Sequence, residues 1–358
     1  MKHRIATQIE AWNSSAAGTH IVELNMINPI SRITVQMKGT NADNAAVGHP
    51  ALMVTKMEVV DGSDVLFSLS GTECQALNYY DQGRMPVNVV NYILPAAAIV
   101  TFHLDFGRHL WDEQSALDPK QFKNLQLKIT YDDGLGGCAT TASTISVFAW
   151  LFDAETISPR GFLMSKEQYK YTQNAAGLAH EYIQLPTDFD IRKLLIQSLY
   201  ADKQPWEQYN RIKISEDNDR RIPVNNLRTS DLLKLYQPDE RIQEDLFVEL
   251  VSTPDVYYCA ATYDTAATGV GMVVTDAAIA HLQSYGGTIS IIGTNAQQQV
   301  WHVTGLAPHG TLCIPFGEQD KIEDWYTVAP INELLLDITQ GAGTAGTTQI
   351  CTQQFRTY

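Results

Sequence analysis

The chain has 358 residues, 44% hydrophobic and 9% aromatic, which suits two domains of roughly 150–180 residues and argues against a disordered polypeptide. Charged residues make up 18%, below the usual ~25%, and 25 basic against 40 acidic side chains give a net charge of −15. With no run of Lys or Arg, such a chain repels phosphate backbones, so direct nucleic-acid binding is excluded as a primary role. A large charge of one sign keeps a protein soluble at high concentration.

The first segment stands apart. Ile5, Ile9 and Trp12 fall at i, i+4 and i+7 beside Lys2, His3 and Arg4, a short basic amphipathic stretch. It is expected as an N-terminal arm over residues 1–14. The arm either docks on its own domain or a neighbour, or touches an anionic membrane through Lys2, Arg4, Ile5, Ile9 and Trp12.

From residue 15 to 155 short apolar stretches recur every 8–15 residues between Gly, Asn, Asp and Pro. They predict strands over Ile21–Asn25, Ile33–Met37, Met57–Val60, Val65–Leu69, Val89–Leu94, Ile99–Leu104, Leu125–Thr130 and Ile145–Leu151. Eight strands is the count of a jelly roll. One helix is expected over Gly71–Tyr80, with Thr72 as cap, Glu73 in its first turn, and Cys74, Leu77 and Tyr80 along one face. The apolar stretch from Val89 to Leu104 is interrupted by Asn91, Pro95 and His103, so it does not read as a membrane-spanning helix. Residues 156–180 read as a linker, with a helix from Ser165 into Tyr171.

Residues 181–358 then repeat the first half. Ile30-Ser31-Arg32-Ile33 pairs with Ile191-Arg192-Lys193-Leu194, an offset of 161; Met57-Glu58-Val59 pairs with Ile212-Lys213-Ile214, an offset of 155. An acidic turn follows in each, Asp61 to Asp64 and Glu216 to Asp219, then a strand and a helix ending near Tyr80 or Tyr236. Leu104-Asp105-Phe106-Gly107 matches Ile314-Pro315-Phe316-Gly317, and Ile129 matches Ile338. The offset climbs from 156 at Tyr236 to 210 at Phe316, so the second copy carries an insertion of about 54 residues, placed at about 237–305. Alternating stretches such as Thr288-Ile289-Ser290-Ile291 mark it as a loop excursion with short strands of its own. The fold class is therefore all-β: two tandem eight-stranded jelly-roll sandwiches with short helices.

The chemistry of catalysis is sparse. The one GxGxxG run, Gly341 to Gly346, lies in a turn between two strand-like stretches rather than opening a helix, and no Walker loop, GxSxG or HExxH occurs. The nine histidines never form the HxH pair of a metal-binding cupin. Asp132-Asp133, Asp188/Asp190 and Asp217-Asn218-Asp219 lie in turns, where such residues stabilise the backbone. The five cysteines, at 74, 138, 259, 313 and 351, are odd in number and lack CxxC spacing, so buried reduced thiols are expected rather than zinc or disulfides. No catalytic residue, cofactor or metal is expected.

The run Val60-Asp61-Gly62-Ser63-Asp64-Val65-Leu66-Phe67-Ser68-Leu69-Ser70-Gly71, the helix to Tyr80, and Leu104-Asp105-Phe106-Gly107-Arg108 resemble the double-jelly-roll major capsid proteins. These belong to tailless icosahedral viruses of the adenovirus and membrane-containing phage lineage. The resemblance implies a homotrimer whose six upright sandwiches form a pseudo-hexagon and tile a virion shell. It also implies assembly in host cytoplasm beside neighbouring capsomers, minor capsid and vertex proteins, and an internal membrane reached through the N-terminus. The insertion is then expected to crown the outer surface with the N-terminal segment at the base, unless it lies flat and clamps the trimer. A carbohydrate-binding or glycan-processing double sandwich stays open as the alternative, although Trp206, Trp301 and Trp325 are isolated in sequence.

Overall fold

A computed structural model describes residues 2–138, 140, 142–153, 157–174, 177–250, 255–271, 280–282, 285–292, 298–342 and 346–358. The first half lays down β1 (His3–Asn13), β2 (Ala17–Glu23), β3 (Ile30–Thr40), β4 (Val54–Asp61), β5 (Asp64–Leu69), α1 (Gly71–Gln82), β6 (Val90–Asn91), β7 (Ala97–Asp105), β8 (Leu125–Asp132) and β9 (Ala142–Phe152). The second half opens with β10 (Gly161–Thr172), β11 (His180–Gln184), β12 (Ile191–Gln197), α2 (Pro205–Gln208), β13 (Tyr209–Glu216), β14 (Arg221–Arg228) and α3 (Thr229–Leu235). It continues through β15 (Ile242–Glu249), β16 (Asp255–Tyr258), β17 (Ala261–Gly271), β18 (Ala280–Leu282), β19 (Thr288–Ile292) and β20 (Gln298–Pro308), and ends with β21 (Thr311–Pro315), β22 (Leu334–Gln340) and β23 (Thr347–Thr357).

Each half builds a sandwich from two four-stranded layers. In the first, β1-β9-β3-β7 packs on β2-β8-β4-β5; in the second, β10-β23-β12-β21 packs on β11-β22-β13-β14. Alternation along a strand sets which side chains enter the core: β8 is buried at Leu125, Leu127, Ile129 and Tyr131 and half-buried between them. The two sandwiches are joined, because β5 and β10 run parallel at Ser68 and Lys166 and merge one layer of each into an eight-stranded sheet.

Corresponding backbone bonds fix the repeat. Leu24 N donates to Leu125 O (2.9 Å) as Leu185 N does to Leu334 O (2.8 Å). Phe106 N donates to Ser31 O (3.2 Å) as Phe316 N does to Arg192 O (3.0 Å), which makes Phe106 and Phe316 equivalent. Ile129 lies between His20 and Met57, and Ile338 between Glu181 and Ile212.

Three expectations are corrected. Residues 3–13 are not a separate arm but β1, paired with β9 from His3–Phe152 to Asn13–Thr144. Ser165 to Tyr171 is not a linker helix but part of β10, paired with β23. The two are equivalent: Ser14 N donates to Ser143 O, and Gln173 N to Gly346 O. Both carry a bulge, between Thr7 and Ile9 and between Glu167 and Tyr169. The cap of α1 is Ser70 rather than Thr72: its hydroxyl accepts from Glu73 N while Glu73 returns a bond to Ser70 N, a reciprocal capping box.

The registers also orient the molecule. His3–Phe152 and Arg32–Asp105 lie at one end of the first sandwich; Thr40, paired with both Ala97 and Ala142, lies at the other. The insertion sits over this second end. Its strand β15 runs parallel to β6 in the sheet β17-β20-β15-β6, and β16-β19-β18 forms a further sheet. Val90, Tyr92 and Cys138 from the first copy share a core with Leu246, Val248 and Trp301 of the insertion. β1 thus starts at the end opposite the insertion.

Candidate functional site: the seam and the free edges

Helix α1 descends alongside β7 and meets β12 of the second sandwich, bringing Asp81 against Arg192 and Lys193. Arg192 Nη1 lies 2.5 Å from Asp81 Oδ1, Lys193 Nζ donates to the same oxygen, and all three side chains are buried. Burial alone would raise the Asp81 carboxyl, but the two cations outweigh it and hold it below the usual carboxylate range. Arg192 also donates to Gln353 Oε1 (2.7 Å), and Lys193 to Tyr80 O (3.1 Å). Sequence reasoning missed this cluster. Its one signal is an Arg-Lys pair inside β12, whose seven residues are all buried.

The seam continues toward the insertion. Tyr80 Oη donates to Thr311 O (2.8 Å), Tyr79 Oη to Glu240 O (2.6 Å) and Tyr92 Oη to Tyr258 O (2.8 Å). His49 Nδ1 accepts from Ala51 N, so its Nε2–H donates to Glu244 Oε1 (3.1 Å). His309 Nε2 bonds Gln75 Oε1 (3.0 Å), and its imidazole is held well below the ordinary histidine range by burial and then by His49. Such a joint ties both sandwiches and the insertion into one body.

The parallel β5/β10 junction has its own contacts. Lys166 Nζ donates to Val65 O (3.0 Å). Arg356 grips Asp64 with two bonds, 2.9 Å and 2.6 Å. That partnership, more than any other contact, holds the Asp64 carboxyl below its usual range.

The N-terminal residues are not gathered on one face. Trp12 stacks on His20 at 3.9 Å between ring centres, and Ile9 and Trp12 pack against the first core. Arg4 Nε donates to Asp153 Oδ1 (2.8 Å), Lys2 O accepts from Asp153 N, and Ile5 is 54% exposed. The turn carboxylates are employed on backbone: Asp132 Oδ1 accepts from Gly134 N, Asp190 Oδ1 from Val328 N, and Asp217 Oδ1 from Asn332 N and Glu333 N. Asp61 accepts from Lys123 N and Asn124 N in the matching turn of the first copy. All five cysteines are free and buried. Among the described residues no cluster of His, Cys, Asp or Glu is placed to hold a metal ion. Trp301 and Trp325 are buried and Trp206 is half-buried against Tyr263, so the three indoles form no solvent-facing row for stacking on sugars.

Two tandem jelly rolls fused edge to edge, with loops piled on one end, define a double-jelly-roll protein. Solved structures share this fold across nearly the whole chain. The STIV MCP, a major capsid protein, superposes with a TM-score of 0.60 at 12% identity, covering 99% of this chain and 97% of its own. The PBCV-1 virus capsid protein gives 0.60 at 12% identity, covering 99% and 93%, and the major capsid protein of bacteriophage PM2 gives 0.56 at 9%, covering 99% and 98%. No family model and no curated protein matches the sequence.

Proposed function

We propose that the chain is a non-enzymatic major capsid protein, three copies of which form a pseudo-hexagonal capsomer that tiles the shell of an icosahedral virion. The observation that carries this reading is whole-chain likeness in fold to major capsid proteins, with 99% of the chain covered in each case. The physics agrees. Sandwiches standing side by side offer large lateral faces, while loops at one end vary freely without disturbing them. The insertion, about 237–305, points outward, and the end that holds His3, whose ring stacks on Trp111 at 4.0 Å, faces the interior. There Lys2 and Arg4 supply the basic charge that an anionic internal membrane attracts, since Ile9 and Trp12 are spent on the core. Neighbouring capsomers and minor or vertex proteins are the remaining partners, and the genome is not contacted directly.

Expression of the full chain followed by sedimentation velocity and electron microscopy tests this. Three-fold symmetric, six-lobed particles or shells are expected. A monomer at every concentration that binds an immobilised glycan array would replace the reading with the sugar-binding alternative.

A further inference from the structure

We propose that β14 of one copy docks beside β1 of the next, reproducing between chains the junction that β5 and β10 make within one, and that Arg221 and Asp153 form its central ion pair. This deepens the capsomer reading and rests on it.

The argument starts from equivalence. β10 is the counterpart of β1, and β14 the counterpart of β5. Inside the chain β5 and β10 lie side by side, whereas β1 and β14 are the open edges of their own sheets. If each sandwich meets the next through the same pair of strands, the free β14 must take a β1 from another chain. A head-to-tail contact of this kind repeats until its rotation closes a ring.

Burial at matched positions supports the pairing. Leu69 on β5 pairs with Met57 and is 1% exposed; its counterpart Leu227 on β14 pairs with Ile212 and is 41% exposed. Ser165 on β10 pairs with Gln353 and is 1% exposed; its counterpart Ile5 on β1 pairs with Trp150 and is 54% exposed. Positions that the internal junction covers are bare at the two free edges, and both bare residues are apolar.

Charge supports it independently. The internal junction is gripped by Asp64 and Arg356. Asp64 closes its hairpin opposite Asp61, as Arg221 does opposite Glu216. Arg356 follows Phe355, whose N donates to Asp190 O; Asp153 follows Phe152, whose N donates to Pro29 O at the matching place. The pair therefore recurs with its signs exchanged: arginine on the β14 side, aspartate on the β1 side. Arg221 is 67% exposed with Glu216 on one side, and Asp153 is 39% exposed, with Arg4 on its Oδ1 and Oδ2 left as a second acceptor. An exchanged pair also separates the two junctions, since like charges would meet if an external edge invaded the internal one.

The test uses the full chain with Asp153→Arg, Arg221→Asp, and both together, at one salt concentration, with mass photometry across a dilution series. Each single change is expected to weaken trimerisation about tenfold or more, because like charges then face each other at every junction. The double change should restore it to within about threefold of the unaltered chain. Thermal melting of each variant separates a weakened contact from an unfolded chain. Singles that melt normally and trimerise like the unaltered chain overturn the junction while leaving the capsomer standing, as does a well-folded double variant that stays weak. An unaltered chain that is monomeric throughout sinks the capsomer reading, and this junction with it.

Discussion

Asp81 shows what a single side chain contributes to the joint between the sandwiches. It neutralises two buried cations, Arg192 and Lys193, that no other carboxylate touches at hydrogen-bond distance among the described residues. Removing one member of a buried ionic group leaves uncompensated charge and costs about 3–5 kcal/mol. Asp81→Asn should therefore lower the midpoint of urea unfolding sharply; a midpoint within experimental scatter of the unaltered chain would contradict this account of the seam. Histidines make a second residue-scale prediction. Burial, assisted by Arg32, depresses His103 to about 3, and burial depresses His309. Below the unfolded-state value of 6.5 the unfolded chain binds protons that these folded imidazoles refuse, so stability falls as pH drops from 6.5. Each group contributes a slope of about 1.4 kcal/mol per pH unit. Melting temperatures should decline between pH 6.5 and 5, and His103→Gln should flatten the decline.

At the scale of elements, what could be read from sequence depended on whether local pattern and tertiary context agreed. Helix α1 was legible because Ser70, Glu73, Cys74 and Leu77 combine capping and spacing in one short stretch, even though the capping residue lies two positions before the one expected. Ser70→Ala should cost about 1 kcal/mol by leaving a helix N–H without its acceptor, which denaturant unfolding measures. β1 was illegible for a physical reason. A bulge between Thr7 and Ile9 reverses which face each residue takes, so Ile5 points outward while Ile9 points in; a second, near Ala11 at φ +48°, keeps Trp12 on Ile9's side. The result mimics helical spacing. β10 misled differently: Ser165-Lys166-Glu167-Gln168-Tyr169-Lys170 is rich in helix formers, and only pairing to β23 and β5 makes it a strand. The Arg192-Lys193 pair gave no hint of its partner, because Asp81 lies more than a hundred residues away and meets it only once both sandwiches exist.

At the scale of the whole molecule the repeat was legible because corresponding turns and strands share one order, and order survives where identity does not. Asp61 and Asp217 cap the same turn, and Phe106 and Phe316 make the same backbone bond. What sequence could not supply is the pairing of β6 with β15, through which the insertion is packed onto the first copy rather than left as a free loop. In intact particles protease should cut within 237–305 and spare residues 1–15, of which His3–Asn13 are held in β1; cleavage confined to the N-terminus would show the subunit inverted. The central claim, that this chain is a shell-building capsomer protein, is tested most directly by the mass and symmetry of the purified full-length protein. Sedimentation velocity with electron microscopy should give a species of three times the 39.8 kDa chain mass with six lobes around a three-fold axis. A stable monomer at all concentrations, showing two lobes and no higher assembly, would contradict it.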